Sequence, residues 1–144
     1  MKTDELELPD ANVLIALFHR GHVHHESAAA WFNEVRRFAT TPFTESAFLR
    51  LAMNPKIAGT AVGMADARRS LGSLRADSRW ALLEDDSSLV EPTVDLRGLG
   101  GYRQVTDYHL LNLIAGHDGW LATFDRKIAA SLSQADRSLV RLLE

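Results

Sequence analysis

The chain has 144 residues and 16.0 kDa, with 46% hydrophobic and 24% charged residues, a balance that suits one folded core and excludes a disordered polypeptide. It has no cysteine, which excludes a disulfide framework, a thiolate zinc site, an iron–sulfur cluster and a cysteine nucleophile together. Sixteen Lys and Arg against 19 Asp and Glu give a net charge of −3, so the chain is not a globally basic nucleic-acid binder.

No apolar run approaches the ~20 residues of a membrane helix. The opening Met1-Lys2-Thr3-Asp4-Glu5-Leu6-Glu7 lacks the apolar stretch of a signal peptide. A cytoplasmic protein with no membrane partner is expected. If four acids converge on a metal, the remaining balance is 16 against 15, and overall charge no longer decides the partner.

Glu5-Leu6-Glu7-Leu8 alternates polar and apolar residues and predicts a strand ended by Pro9. Asp10-Ala11-Asn12 supplies turn and N-cap chemistry for a buried helix through Phe18, broken by Gly21. A second helix is expected from about His24 to Arg37, with Ala28, Trp31, Phe32 and Val35 at helical spacing. Phe38 to Thr41 predicts the second strand. Pro42, with Thr41 and Thr44 as caps, then starts a helix carrying Glu45, Phe48, Leu49 and Ala52, which Asn54-Pro55 stops.

An amphipathic helix is predicted over about Thr60 to Ala76, then a strand over Trp80–Leu83 ending in Glu84-Asp85-Asp86. Leu89 to Gln104 reads mostly as loop. Thr106 is the expected cap of a helix starting at Asp107, with Gly116 to Gly119 ending it. Trp120–Thr123 predicts a strand, Asp125–Ser131 a short helix and Leu139–Leu143 a last strand. Alternating strands and helices predict an α/β fold with a parallel sheet of about five strands covered on both faces.

Four acids stand where strands give way to helices. Asp10 follows the first strand, Glu45 opens the helix after the second, Asp107 opens a later helix, and Asp125 follows the strand ending at Thr123. In an open parallel sheet the carboxyl ends of strands converge on one crevice. Asp107 shares a helical stripe with Leu110, Leu111 and Ile114, and Glu45 shares one with Phe48, Leu49 and Ala52, so both carboxylates are expected to face inward. An acid in a first turn also complements the helix dipole, which accounts for either residue alone but not for all four. Converging carboxylates repel, and a hard cation such as Mg²⁺ or Mn²⁺ relieves that repulsion. Such a site suits phosphodiester hydrolysis.

Leu8-Pro9-Asp10-Ala11-Asn12-Val13-Leu14, the Glu45 helix with Phe48-Leu49-Arg50-Leu51, the run Gln104-Val105-Thr106-Asp107-Tyr108, and Leu121-Ala122-Thr123-Phe124-Asp125 resemble a PIN-domain ribonuclease, more narrowly the VapC toxins of bacterial toxin–antitoxin pairs. The resemblance spans nearly the whole chain, 1–144, as a single PIN domain. It implies a three-layer α/β/α sandwich, Mg²⁺-dependent endoribonuclease activity on an RNA substrate, homodimerisation and a cognate antitoxin partner. It carries over Asp10, Glu45, Asp107 and Asp125 as catalytic acids, with Asp10 and Asp107 as direct metal ligands and Asn12 and Thr123 as polar supports. His109 departs from the pattern, standing where such proteins often have a small apolar residue.

Other signals weigh less. His22-Val23-His24-His25 lacks a partner at ligand spacing and reads as a capping or surface element. Glu84-Asp85-Asp86 reads as a solvated loop. Arg50, Arg68, Arg69, Arg75, Arg103, Arg126 and Lys127 are candidates for phosphate contacts, the last two foremost because they adjoin Asp125. Two competing functions stay open: a phospho-acceptor receiver or phosphatase, and a non-catalytic PIN-like interaction domain. The phosphatase pattern wants two aspartates flanking one residue after the first strand, where this chain has Asp10-Ala11-Asn12.

Overall fold

The structure is a computed structural model that describes residues 5–58 and 62–144. Five strands, β1 (Leu6–Pro9), β2 (Arg37–Thr40), β3 (Trp80–Leu82), β4 (Trp120–Thr123) and β5 (Val140–Leu142), form one sheet in the order β3-β2-β1-β4-β5. Every neighbouring pair is parallel, with Leu8 opposite Leu121 and Phe38 opposite Trp80. Helices α1 (Ala11–Phe18) and α2 (His25–Glu34) connect β1 to β2, and α3 (Pro42–Ala52), α4 (Pro55–Ala58) and α5 (Met64–Arg75) connect β2 to β3. Helix α6 (Val105–Ala115) leads into β4, and α7 (Arg126–Ser131) follows it.

Strand residues alternate between two cores because successive side chains leave opposite faces of a sheet. Phe38 and Ala122 pack with Val13, Leu14, Trp31, Phe48 and Leu71 from α1, α2, α3 and α5. Leu6, Leu8, Ala39 and Leu121 pack on the other side with Tyr108, Leu111 and Ile114 of α6 and Ile128 of α7. The result is the expected three-layer α/β/α sandwich with a five-stranded parallel sheet.

The local signals act largely as read. The Asp10 side chain caps α1, and Thr41 and Thr44 close a reciprocal capping box around Pro42 at the start of α3. Trp31 and Phe48 are core residues.

Some boundaries move. Helix α3 does stop ahead of Asn54-Pro55, and Pro55 then also starts the short helix α4, because a proline at a first helical position sacrifices no hydrogen bond. Helix α5 begins at Met64, whereas its expected start at Thr60 lies outside the described residues. Thr106 does not cap α6. A 3₁₀ turn over Tyr102–Gln104 runs straight into that helix, whose N-cap is Gln104.

Alternation in β1 also concealed a buried acid. Glu7 is 5% exposed, and its Oε1 accepts from Trp31 Nε1 at 3.0 Å and lies 3.0 Å from Arg141 Nε. Burial pushes its carboxyl above the ordinary range, against the pull of the indole and the guanidinium.

The loop expected after β3 is long but firmly attached. Asn112 Oδ1 accepts from the backbone N–H of Thr93 and Val94 at 2.7 and 3.2 Å, and Asp136 Oδ2 accepts from Asp95 N–H at 2.8 Å. At Gly98 a Cβ would stand 1.8 Å from the carbonyl oxygen of Ser131, so only glycine lets the loop approach α7 so closely.

Candidate active site

Strand order reverses direction between β1 and β4, which makes the carboxyl ends of those two strands the switch point where open α/β sheets build ligand sites. Asp10 sits there because β1 ends and α1 begins at that residue. Its Oδ1 accepts from the N–H groups of Asn12 and Val13 at 2.9 and 3.2 Å. Its Oδ2 accepts from Thr123 Oγ1, across the gap to β4, at 2.5 Å. Asp10 is 7% exposed, and burial raises its carboxyl despite these three donors, with the charge of Asp125 adding to the rise.

Asp125 caps α7, accepting from Lys127 and Ile128 N–H at 2.9 and 3.3 Å, and its own N–H donates to Thr123 Oγ1 at 3.1 Å. Thr123 is therefore a shared anchor for both aspartates. Asp107 projects from the first turn of α6. Burial, then the charges of Asp10 and Asp125, push its carboxyl up to about 7. The three aspartates thus lie within reach of one another's charge, though they come from three different elements.

Glu45, in the first turn of α3, is engaged differently. Its Oε2 accepts from Thr40 Oγ1 at 2.6 Å, and its Oε1 lies 3.7 Å from Arg75 Nη1. Thr40 Oγ1 in turn accepts from Trp80 Nε1 at 2.8 Å, and the Arg75 guanidinium stacks 4.6 Å above the Trp80 ring. Four elements, β2, α3, α5 and β3, hold this one carboxylate. Among the described residues, no group of three or more His, Asp or Glu side chains is close enough together to hold a metal ion, so any ion there would rest on fewer protein ligands. What links the aspartates is mutual repulsion among hard oxygen donors, the donor chemistry that suits Mg²⁺ or Mn²⁺.

A model of the PIN domain family matches residues 8–139, which takes in all four acids. The chain belongs to the PIN-domain family, among the VapC ribonucleases. It is 43% identical to Ribonuclease VapC38 of Mycobacterium tuberculosis over 96% of this chain and 98% of that one. Ribonuclease VapC39 of the same organism is 36% identical over 88% of this chain and 93% of its own.

Among solved structures, M. tuberculosis VapC20, a sarcin–ricin loop cleaving toxin, superposes with a TM-score of 0.59 at 13% identity, over 89% of this chain and 97% of its own. PAE2754 of Pyrobaculum aerophilum gives 0.58 at 21%, over 90% of this chain and 81% of its own. These structures share the fold. The sheet order of this PIN domain also differs from the 2-1-3-4-5 order of receiver domains, which sets the receiver reading aside.

Several residues of the PIN domain stand elsewhere than the sequence suggested. His24 is the N-cap position of α2 but makes no side-chain capping bond. Instead His22 and His24 join Asp10, Asn12, Thr123, Phe124 and Asp125 around a cleft of about 290 Å³. His25 Nδ1 is 2.8 Å from the Ala16 carbonyl oxygen. No spacing rule places the histidines here; the turn between α1 and α2 does. Asp85 of the acidic loop meets His109 Nε2 at 2.6 Å, so that loop is tied to α6 two residues from Asp107. Of the basic candidates, Arg75 faces Glu45, Arg69 pairs with Asp66 at 2.6 Å, and Arg126 is solvent-facing beside Asp125.

Proposed function

We propose that this PIN domain, spanning 1–144, is a Mg²⁺-dependent endoribonuclease, with Mn²⁺ able to substitute, and the toxin of a type II toxin–antitoxin pair. The observation that carries the reading is the set of three acids around the switch point, in which burial and the charges of Asp10 and Asp125 push the Asp107 carboxyl up to about 7. The names of the VapC relatives support the RNA-cleaving part of this reading.

Asp10 and Asp107 are the residues that would hold the metal. A bound Mg²⁺ supplies charge neutralisation at the phosphoryl oxygens and a more acidic water. Asp10 is fixed for its part by Thr123 and two backbone N–H groups. Glu45 and Asp125 orient or deprotonate the attacking water. With Glu45 Oε2 accepting from Thr40, Oε1, which lies 3.7 Å from Arg75 Nη1, is the atom that takes the water's proton. Arg126 and Lys127 meet RNA phosphates beside Asp125. The protein works in the cytoplasm as a homodimer and binds a cognate antitoxin whose Arg or Lys side chains pair with the acids.

The test is cleavage of labelled RNA by the purified protein, expected with Mg²⁺ and abolished by EDTA, and suppressed by the small protein of the adjacent reading frame. Undiminished cleavage in EDTA overturns the metal mechanism. A monomer by light scattering across micromolar concentrations overturns the dimer.

A further inference from the structure

The cleft beside Asp10 and Asp125 has a composition that the acids do not explain. One wall is the pair His24 and Phe124, whose rings lie nearly parallel, 17° apart, with centroids at 4.5 Å. Phe124 is placed by its neighbours in the chain, since it stands between Thr123 and Asp125, both anchored at the end of β4. His24 is placed by a tight turn in which its N–H donates to His22 Nδ1 at 3.0 Å, with the His22 ring tilted against it at 5.8 Å. A solvent-exposed histidine is thus fixed by a phenylalanine stacked on its ring and by a hydrogen bond from its backbone N–H.

Among the described residues lining the cleft there is no Lys or Arg. It therefore offers a polyanion aromatic faces and neutral polar edges in place of countercharge. A phosphate would meet the carboxylates of Asp10 and Asp125 there with no Lys or Arg to offset them, while an unstacked base would find a flat ring and room. The cleft's 290 Å³ far exceeds the roughly 10–15 Å³ that a cavity needs to hold one water. Aromatic faces of this kind are what single-stranded RNA uses when its bases are splayed out of the helix.

We propose that the His24–Phe124 stack is the platform for one nucleobase of the RNA substrate, next to the phosphate that the acids address. This rests on the ribonuclease reading above. The base lies on the exposed face of the His24 imidazole, extending the two-ring stack to three, and the platform fixes where the strand enters the acidic end of the sheet. His24 is a positioning residue in this scheme. It touches the base, not the reacting phosphate.

The probe is a synthetic single-stranded oligoribonucleotide spanning a cut site mapped on total cellular RNA, assayed with Mg²⁺. His24→Ala is expected to raise KM about five-fold or more with little change in kcat, in line with the stacking contribution of one base. His24→Phe, which keeps a ring and loses the ring nitrogens, restores the wild-type KM. Replacing single nucleotides by abasic ones identifies the partner. At one position near the cut the abasic RNA is bound equally by wild type and His24→Ala, because the two losses remove the same contact.

If His24→Ala leaves KM unchanged, if His24→Phe is as defective as His24→Ala, or if the two losses add at every position, the platform is overturned while the ribonuclease survives. A wild-type protein that cuts no RNA removes the ribonuclease reading and the platform with it.

Discussion

The Thr123 hydroxyl hydrogen is spent on Asp10 Oδ2 at 2.5 Å, while the oxygen of the same hydroxyl accepts the N–H of Asp125 at 3.1 Å. One buried side chain thereby joins the ends of β1 and β4 and sets two of the three repelling aspartates. Thr123→Val keeps the shape and deletes both bonds. Leaving a buried carboxylate oxygen and an N–H without partners costs about 1–3 kcal/mol. Denaturant unfolding is expected to show a loss of that size, with RNA cleavage falling sharply, and Thr123→Ser is expected to recover most of both. Equal stability of the valine variant would show that the bond to Asp10 contributes nothing net.

Asp107 carries the most readily measured repulsion. Asp107→Asn removes one charge with little change in volume, so in EDTA this variant is expected to melt above the wild type, by an amount worth about 1 kcal/mol or more. Added Mg²⁺ raises the wild-type melting temperature through binding linkage and raises the variant's much less. Paired thermal melts check this, and equal Mg²⁺ shifts would contradict the assignment of Asp107 to the metal. Cleavage by the variant should be largely lost.

The same carboxyl gives stability a direction with pH. It titrates at about 7 in the folded chain, against an ordinary value of 3.8, so the folded state holds the proton more tightly. The stabilisation is complete below about pH 4 and is lost as pH rises through about 7. Asp10 and Glu7, both raised by burial, push the same way. In EDTA the wild-type melting temperature should therefore fall between about pH 4 and 7, with a shallower fall in Asp107→Asn. Parallel slopes for the two proteins would place the titration elsewhere.

Gly98→Ala tests whether the loop after β3 is a fixed part of the fold. The added methyl meets the Ser131 carbonyl oxygen, a backbone atom at the end of α7 that has no rotamer to yield. A loss of about 1–3 kcal/mol is expected by denaturant unfolding. A neutral outcome would mean that the loop and α7 separate easily.

The parts legible in the sequence were those written locally. The caps at Asp10 and at Thr41 with Thr44, the proline at the start of α3 and the placing of acids at strand ends all depend on residues within four of one another. The parts that stayed hidden depend on contacts between distant segments. Glu7 reads as the polar half of an alternating strand until Trp31 and Arg141 arrive from other elements to satisfy it. The histidines after α1 are surface residues as read, but nothing in the sequence signals that the turn stacks His24 on Phe124. Thr106 has the chemistry of a cap, but the 3₁₀ turn ahead of it already carries helical backbone and moves the helix start upstream.

The hydrogen bonds that converge on Glu45 run in one direction only. An indole N–H has a hydrogen to give and no lone pair to receive one, so Trp80 forces the Thr40 oxygen to act as acceptor on that side. Thr40 then has a single hydrogen left, and it points at Glu45 Oε2. The relay is polarised from the edge strand towards the acid, and its last member accepts whichever way the sequence of donors is traced. The scaffold has thereby committed Glu45 Oε2 to accepting, and has done so from Trp80, a residue that does not itself touch the carboxylate, which suits the role of base proposed for Glu45.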